Sequence, residues 1–125
     1  MIGSMNGSVL VVDDDPAFRR LARHMLAAFG LVLAGEAETA AAAIAAAGTL
    51  RPTAVLVDVG LPDGNGIALA RELTALPWRP RVVLTSTNAE AATPSEVRRS
   101  GAEAFVPKDE LPGAALNDLF GIHAS

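Results

Sequence analysis

Val9-Leu10-Val11-Val12-Asp13-Asp14-Asp15-Pro16 is the stretch from which the fold can be read. Four apolar residues, three of them β-branched, run on without alternating with polar ones, as in a strand covered on both faces. The run stops at three carboxylates and a proline. Asp15 followed by Pro16 reads as a helix start, an N-cap and a first-turn proline. From there Phe18, Leu21, Ala22, Met25, Leu26 and Phe29 recur at helical spacing, with Arg19, Arg20, Arg23 and His24 on the other side. Gly30 stands just past the expected helix end. A doubly covered strand feeding an amphipathic helix is the first half of a parallel βαβ unit.

Outward from this stretch the pattern repeats. Residues 54–57 and 82–84 are further continuous apolar runs, and residues 31–34 and 104–106 are shorter ones, which predicts five strands. Residues 39–48 are almost all alanine with Ile44, so a helix of high propensity but little packing area is expected. Leu69, Leu73 and Leu76 form the stripe of a third helix closed by Pro77, and a fourth runs from near Pro94 to Gly101. Ala115, Leu116 and Leu119 mark a fifth after Pro112, while residues 87–93 read as a loop of small residues. Strands alternating with helices predict an α/β domain, a doubly wound five-stranded parallel sheet flanked by five helices. The domain is expected over residues 8–121, with residues 122–125 as a tail. Residues 1–7 are set aside as disordered or cloning-derived, because a second methionine follows Gly3-Ser4.

Composition narrows the functions. The chain has 125 residues, half of them hydrophobic, enough for one substantial core. A net charge of -4 has the wrong sign for a phosphate-backbone binder, so no direct nucleic-acid partner is expected. There is no cysteine, and His24 and His123 are the two histidines, which removes disulfide, thiol and zinc chemistry. Any bound metal must use oxygen ligands. The apolar run at residues 9–12 ends in acids and is too short for a leader or a membrane span, so a cytoplasmic location without a membrane partner is expected.

In open α/β sheets, ligands sit at the carboxyl ends of the strands. Those ends carry Asp13 and Asp14, Asp58, Thr85 and Ser86, and the approach to Lys108. Each has an ordinary explanation: a capping run, an Asx turn, a β-branched strand residue, a solvated charge. Asp15 is accounted for as a cap. The joint placement of the others on one sheet edge is explained by a single phosphoryl site. Three clustered carboxylates would repel by about 4 kcal/mol per pair at ~4 Å and an effective dielectric near 20. A cation is called for, and with oxygen ligands alone Mg2+ or Mn2+ fits.

The motifs Val11-Val-Asp-Asp-Asp-Pro16, Leu56-Val-Asp-Val-Gly-Leu-Pro-Asp-Gly64, Val83-Leu-Thr-Ser86 and Gly101-Ala-Glu-Ala-Phe-Val-Pro-Lys108 resemble the response-regulator receiver family over nearly the whole chain. The resemblance implies a flavodoxin-like sheet of order 2-1-3-4-5. It implies Asp58 as phospho-acceptor, Asp14 as a direct metal ligand, Asp13 as a ligand mainly through water, and the Gly60 carbonyl as the backbone ligand. Thr85 would bond a phosphoryl oxygen, and Lys108 would pair with Asp58 and then with the phosphoryl group. Phe105 would move with the fourth strand and fourth helix, and Ser86 adds a hydroxyl at the site mouth. The function implied is a phosphorylation-controlled switch of a two-component system that promotes only its own phosphorylation and dephosphorylation. Its partners would be a sensor histidine kinase or phosphotransfer protein, around Arg19, Arg20 and Arg23, and an output protein.

Several positions depart from the family pattern. Pro107 precedes Lys108 and Asp109 follows it, Phe105 stands where tyrosine is common, and Gly60 leaves the acceptor unscreened from water, so a short-lived mark is expected. A pseudo-receiver acting through protein contacts alone is the alternative reading. An aspartate-nucleophile phosphohydrolase would want a general acid two residues after Asp58, where this chain has Gly60. A flavin phosphate would meet three acids after the first strand.

Overall fold

The structure is a computed structural model that describes residues 7–122. In chain order the elements are β1 (Ser8–Val12), α1 (Pro16–Ala28), β2 (Val32–Ala37), α2 (Ala40–Leu50), β3 (Ala54–Asp58), β4 (Gly60–Leu61), β5 (Gly64–Asn65), α3 (Gly66–Thr74), β6 (Arg81–Ser86), α4 (Pro94–Ser100), β7 (Ala104–Pro107) and α5 (Leu116–Leu119), with a 3-10 segment at Lys108–Gly113. The main sheet has the order β2-β1-β3-β6-β7 with every pairing parallel. It is the doubly wound, flavodoxin-like sheet anticipated, with the fourth and fifth strands now numbered β6 and β7.

The unbroken apolar runs are explained by two cores. Val9, Val11, Ala54, Leu56 and Val83 face α1 and the C-terminal segment, where Phe18, Ala22, Leu26, Leu111, Leu116 and Phe120 are buried. The alternate residues Leu10, Val12, Val55, Val57, Val82 and Leu84 face α2 and α3, against Ala43, Ala47, Leu69, Ala70 and Leu73. A strand with a core on each side has no face left for polar residues, so its polar residues collect at its end.

Several boundaries differ from expectation. In α1 the buried stripe is Phe18, Ala22 and Leu26, whereas Leu21 is 57% exposed and Met25 and Phe29 are half-buried. The i, i+4, i+8 row is the one buried outright, and Met25 and Phe29 pack against its edge. The second strand extends through Gly35, Glu36 and Ala37, because parallel pairing with β1 carries it where no apolar signal exists. Ala43 and Ala47 seat α2, and Ile44 is exposed. Helix α3 ends at Thr74, short of Leu76, and the Thr74 hydroxyl bonds the carbonyls of Ala70 and Ser100. Helix α5 is a single turn, with Pro112 inside the 3-10 segment and Ala115 exposed. Gly7 and Ile122, placed outside the domain by the sequence, pack into it: Gly7 is buried and its carbonyl accepts from Val32. Residues 1–6 and 123–125, including His123, lie outside the described residues.

Candidate phosphoryl and metal site

Asp13 is the first residue beyond β1 and is fully buried. Its amide donates to the Ala37 carbonyl at 3.0 Å, one Oδ accepts from the Asp15 amide at 2.9 Å, and the other lies 2.7 Å from Lys108 Nζ. That second oxygen has no well-directed hydrogen bond and rests on the lysine's charge alone. Asp14 is exposed, and Asp15 caps α1 by accepting from the Ala17 amide. Asp58 closes β3, paired in register with Thr85, and is 9% exposed. Its carboxylate accepts from the Gly60 amide at 3.3 Å and lies 3.6 Å from Lys108 Nζ. Carboxylate oxygens of Asp13, Asp14 and Asp58 all fall within 4.8 Å of one another.

Burial, then the charge of Asp13, pushes the Asp58 carboxyl above its ordinary value, and Lys108 and the Gly60 amide pull only partly against them. The cluster is thus short of positive charge. One lysine serves three carboxylates, and one buried oxygen lacks a directed donor. A hard divalent cation meets that deficit, and the donor set of carboxylates beside the Gly60 backbone suits magnesium.

Lys108 leads the 3-10 segment, its side chain 14% exposed and its Nζ 4.2 Å from the centroid of the Phe18 ring. The expected pairing of Lys108 with Asp58 is present at 3.6 Å, and a closer contact with Asp13 at 2.7 Å accompanies it, the Phe18 ring and the buried Oδ2 drawing the ammonium to the β1 side. Thr85 is fully buried and its hydroxyl donates to the Val106 carbonyl at 2.6 Å, so it is committed to β7 rather than to Asp58. The Ser86 hydroxyl accepts from the Asn88 amide. Phe105 is half-buried and packs with the α3 and α4 side of the sheet.

Arg19, Arg20 and Arg23 do not form one open basic face. Arg19 is turned in towards Asp13, Glu36 and Glu38, Arg23 pairs with Glu36, and of the three only Arg20 is exposed with no side-chain bond among the described residues. Sequence reasoning also passed over Asp63 and Gly66. The β4–β5 hairpin carries Asp63 to the start of α2, where it accepts from the amides of Ala40 and Ala41, and these bonds hold its carboxyl below the usual range. At Gly66 any Cβ would run into the backbone of Asp58 and Val59, so α3 can start against the acceptor only with glycine there. The turn-rich run Pro62-Asp63-Gly64-Asn65-Gly66 was the available signal.

The chain belongs to the response regulator receiver domain family, whose profile matches residues 9–118. Among curated relatives it is 27% identical over 115 residues to the chemotaxis protein CheY of Thermotoga maritima, covering 92% of this chain and 96% of that one. It is 38% identical over 103 residues to the DNA-binding transcriptional activator DevR/DosR of Mycobacterium tuberculosis, covering 81% of this chain and 47% of the relative. A protein-glutamate methylesterase/protein-glutamine glutaminase of Hahella chejuensis is 31% identical over 106 residues, which is 83% of this chain and 30% of that protein. Against these longer relatives the chain spans half their length or less, whereas it spans nearly all of the chemotaxis protein. Among solved structures, the signal receiver domain of a response regulator, NarL, from Mycobacterium tuberculosis superposes with a TM-score of 0.77 at 29% identity, covering 93% of this chain and 98% of that one. The chain is therefore a receiver domain of the kind used in two-component, phosphorylation-based signalling. Among the described residues no helix is long and apolar enough to cross a membrane.

Proposed function

We propose that the chain is a phosphorylation-controlled switch in which Asp58 accepts a phosphoryl group from a sensor histidine kinase or a phosphotransfer protein and an output protein reads the change. The observation that carries this reading is the buried Asp58, raised in pKa and set beside Lys108 and the carboxylates of Asp13 and Asp14. Asp14, Asp58, the Gly60 carbonyl and, through water, Asp13 would hold Mg2+ or Mn2+. When bound, the ion would offset repulsion between the carboxylate and an anionic donor.

The chain's own residues divide the remaining work. An oxygen of Asp58 forms the new bond to phosphorus as the donor's bond to phosphorus breaks, and the leaving group departs with its electron pair. Lys108 lies within reach of that oxygen and supplies positive charge on the side away from solvent. Thr85 would meet a phosphoryl oxygen after releasing the Val106 carbonyl, Ser86 would donate the O–H that its bond from the Asn88 amide leaves free, and Phe105 would follow by packing alone. Two-component signalling in the cytoplasm, without nucleic acid or membrane as a direct ligand, is the setting this reading requires.

Intact mass after incubation with magnesium and acetyl phosphate tests it. A single phosphoryl adduct on the wild type that is absent from Asp58→Asn is expected. No adduct on the wild type, or an undiminished adduct on Asp58→Asn, overturns the reading and leaves a pseudo-receiver acting by contacts alone.

A further inference from the structure

Asp13 lies just past the last residue of β1 that pairs within the sheet, and there the ladder no longer fixes the backbone. Its amide still reaches the Ala37 carbonyl, but its own carbonyl has no neighbouring strand to donate to it. Arg19 takes that place from α1. One terminal nitrogen donates to the Asp13 carbonyl at 2.7 Å, Nε donates to Glu36 at 3.1 Å, and the other terminal nitrogen reaches Glu38 at 3.5 Å. The Arg19 side chain is only 14% exposed. Glu36 is held in turn by Arg23 at 2.9 Å, a bond that keeps its carboxyl ionised below the usual range.

A planar guanidinium with each nitrogen on a separate acceptor has little freedom left. It ties the β1–α1 loop to the edge strand β2. The amide, the carbonyl and one carboxylate oxygen of Asp13 are then hydrogen-bonded, and the other oxygen rests on the Lys108 charge. With the peptide plane at Asp13 fixed, the next residue has its direction fixed too. Asp13 points inward to Lys108 and Asp14 outward to solvent, although both lie past the strand that would impose alternation.

We propose that Arg19 is a positioning residue for the acidic pair, setting the divergence of Asp13 and Asp14 that lets Asp14 bind a divalent cation while Asp13 stays on Lys108. The inference rests on the metal site proposed above. Arg19 touches neither the metal nor the phosphoryl group in this scheme. Its effect passes through one backbone carbonyl, as outer partners of metal ligands commonly act.

The test uses the whole chain with Arg19→Ala and Arg19→Lys. Amide hydrogen exchange is followed without metal, magnesium affinity by titration calorimetry, and phosphoryl uptake from acetyl phosphate at increasing magnesium. In Arg19→Ala, the Asp13 and Asp15 amides should exchange faster while residues 9–12 stay protected, and magnesium should bind about tenfold more weakly. Uptake should recover at saturating magnesium. Arg19→Lys should restore part of the affinity, since an ammonium can serve the carbonyl or Glu36 but does not fork to both.

Unchanged magnesium affinity in a folded Arg19→Ala overturns the proposal, as does an even loss of protection along the whole of β1, which marks a merely structural role. Should Arg19→Ala fail to fold, Glu36→Gln slackens the guanidinium without removing it, and its magnesium affinity must fall in the same direction or the proposal is wrong. A wild type that binds no magnesium defeats the metal reading itself and the clamp's purpose with it, and that failure shows before any variant is made.

Discussion

The two sides of the site are in different conditions. On the β1–β3 side, Asp13, Asp58 and Lys108 already face one another within 2.7 and 3.6 Å, held from behind by Phe18 and Arg19. On the β6–β7 side, the Thr85 hydroxyl is spent on the Val106 carbonyl, while the Ser86 hydroxyl accepts from the Asn88 amide. The first side is charged and crowded, so its geometry is forced by electrostatics. The second is neutral, and its buried Thr85 hydroxyl must exchange one acceptor for another before it can serve a phosphoryl group. A switch needs both: a fixed acceptor, and a neighbour whose alternatives lie close in energy.

Removing the central charge should break the contrast most severely. Lys108→Met leaves Asp13 buried without a counter-ion, and a loss of about 3 kcal/mol in urea unfolding at neutral pH is expected. Adding Asp13→Asn to that variant should recover most of the loss. If Lys108→Met costs no more than a surface substitution, the β1–β3 side is not electrostatically assembled.

Relieving the crowding should act in the opposite direction. The Asp58 carboxyl is raised above its ordinary value of 3.8, so its contribution to stability is fully present below that value and is lost as pH rises through the raised one. At neutral pH without metal, Asp58→Asn should therefore melt a few degrees higher than the wild type, on the order of 1 kcal/mol. Asp14→Asn should shift it the same way. The advantage of Asp58→Asn should shrink as pH falls through the Asp58 titration, and magnesium should stabilise the wild type more than the variant. A gap that does not change with pH between the two proteins in thermal melts would place the strain elsewhere.

The smallest effect belongs to the other side. Thr85→Val removes one neutral hydrogen bond and should cost about 1 kcal/mol in the same unfolding assay. Uptake of a phosphoryl group by Asp58 should stay close to wild type, because the hydroxyl is not at the acceptor beforehand. A collapse of uptake in Thr85→Val would mean that the two sides are already coupled in the resting protein.

The same division explains what could be read from the sequence. The five-stranded sheet and the acids at its edge were legible because a doubly buried strand admits no polar residue until it ends, so Asp13 and Asp58 stand out against Val9 to Val12 and against Val55, Leu56 and Val57. The partners of those acids were only partly legible. Lys108 was placed near Asp58, but its preference for Asp13 depends on the Phe18 ring, and that contact joins α1 to the far end of the chain. Arg19 read as one of several solvent-facing arginines, since helical periodicity cannot show that Glu36 on the edge strand and Glu38 just past it lie opposite. Leu21 was assigned to the core for a similar reason: spacing gives the helix stripe but not its width. Helix α5 shrank to one turn because Pro112 and Gly113 close a 3-10 segment where an α-helix start was expected.

The alanine helix α2 has a practical consequence. From Ala40 to Leu50 it carries no charged side chain, and Ala41, Ala42 and Ala45 face solvent on a helix seated by Ala43 and Ala47, with Ala40 and Ala46 partly buried beside them. Its first two amides are bonded to Asp63, on the hairpin that also holds Gly60. A cysteine introduced at Ala41 or Ala45 would be unique in a chain that has none, and would accept a spin label or fluorophore without disturbing the core. The helix that does least chemistry is thus the natural place from which to watch the acceptor loop move.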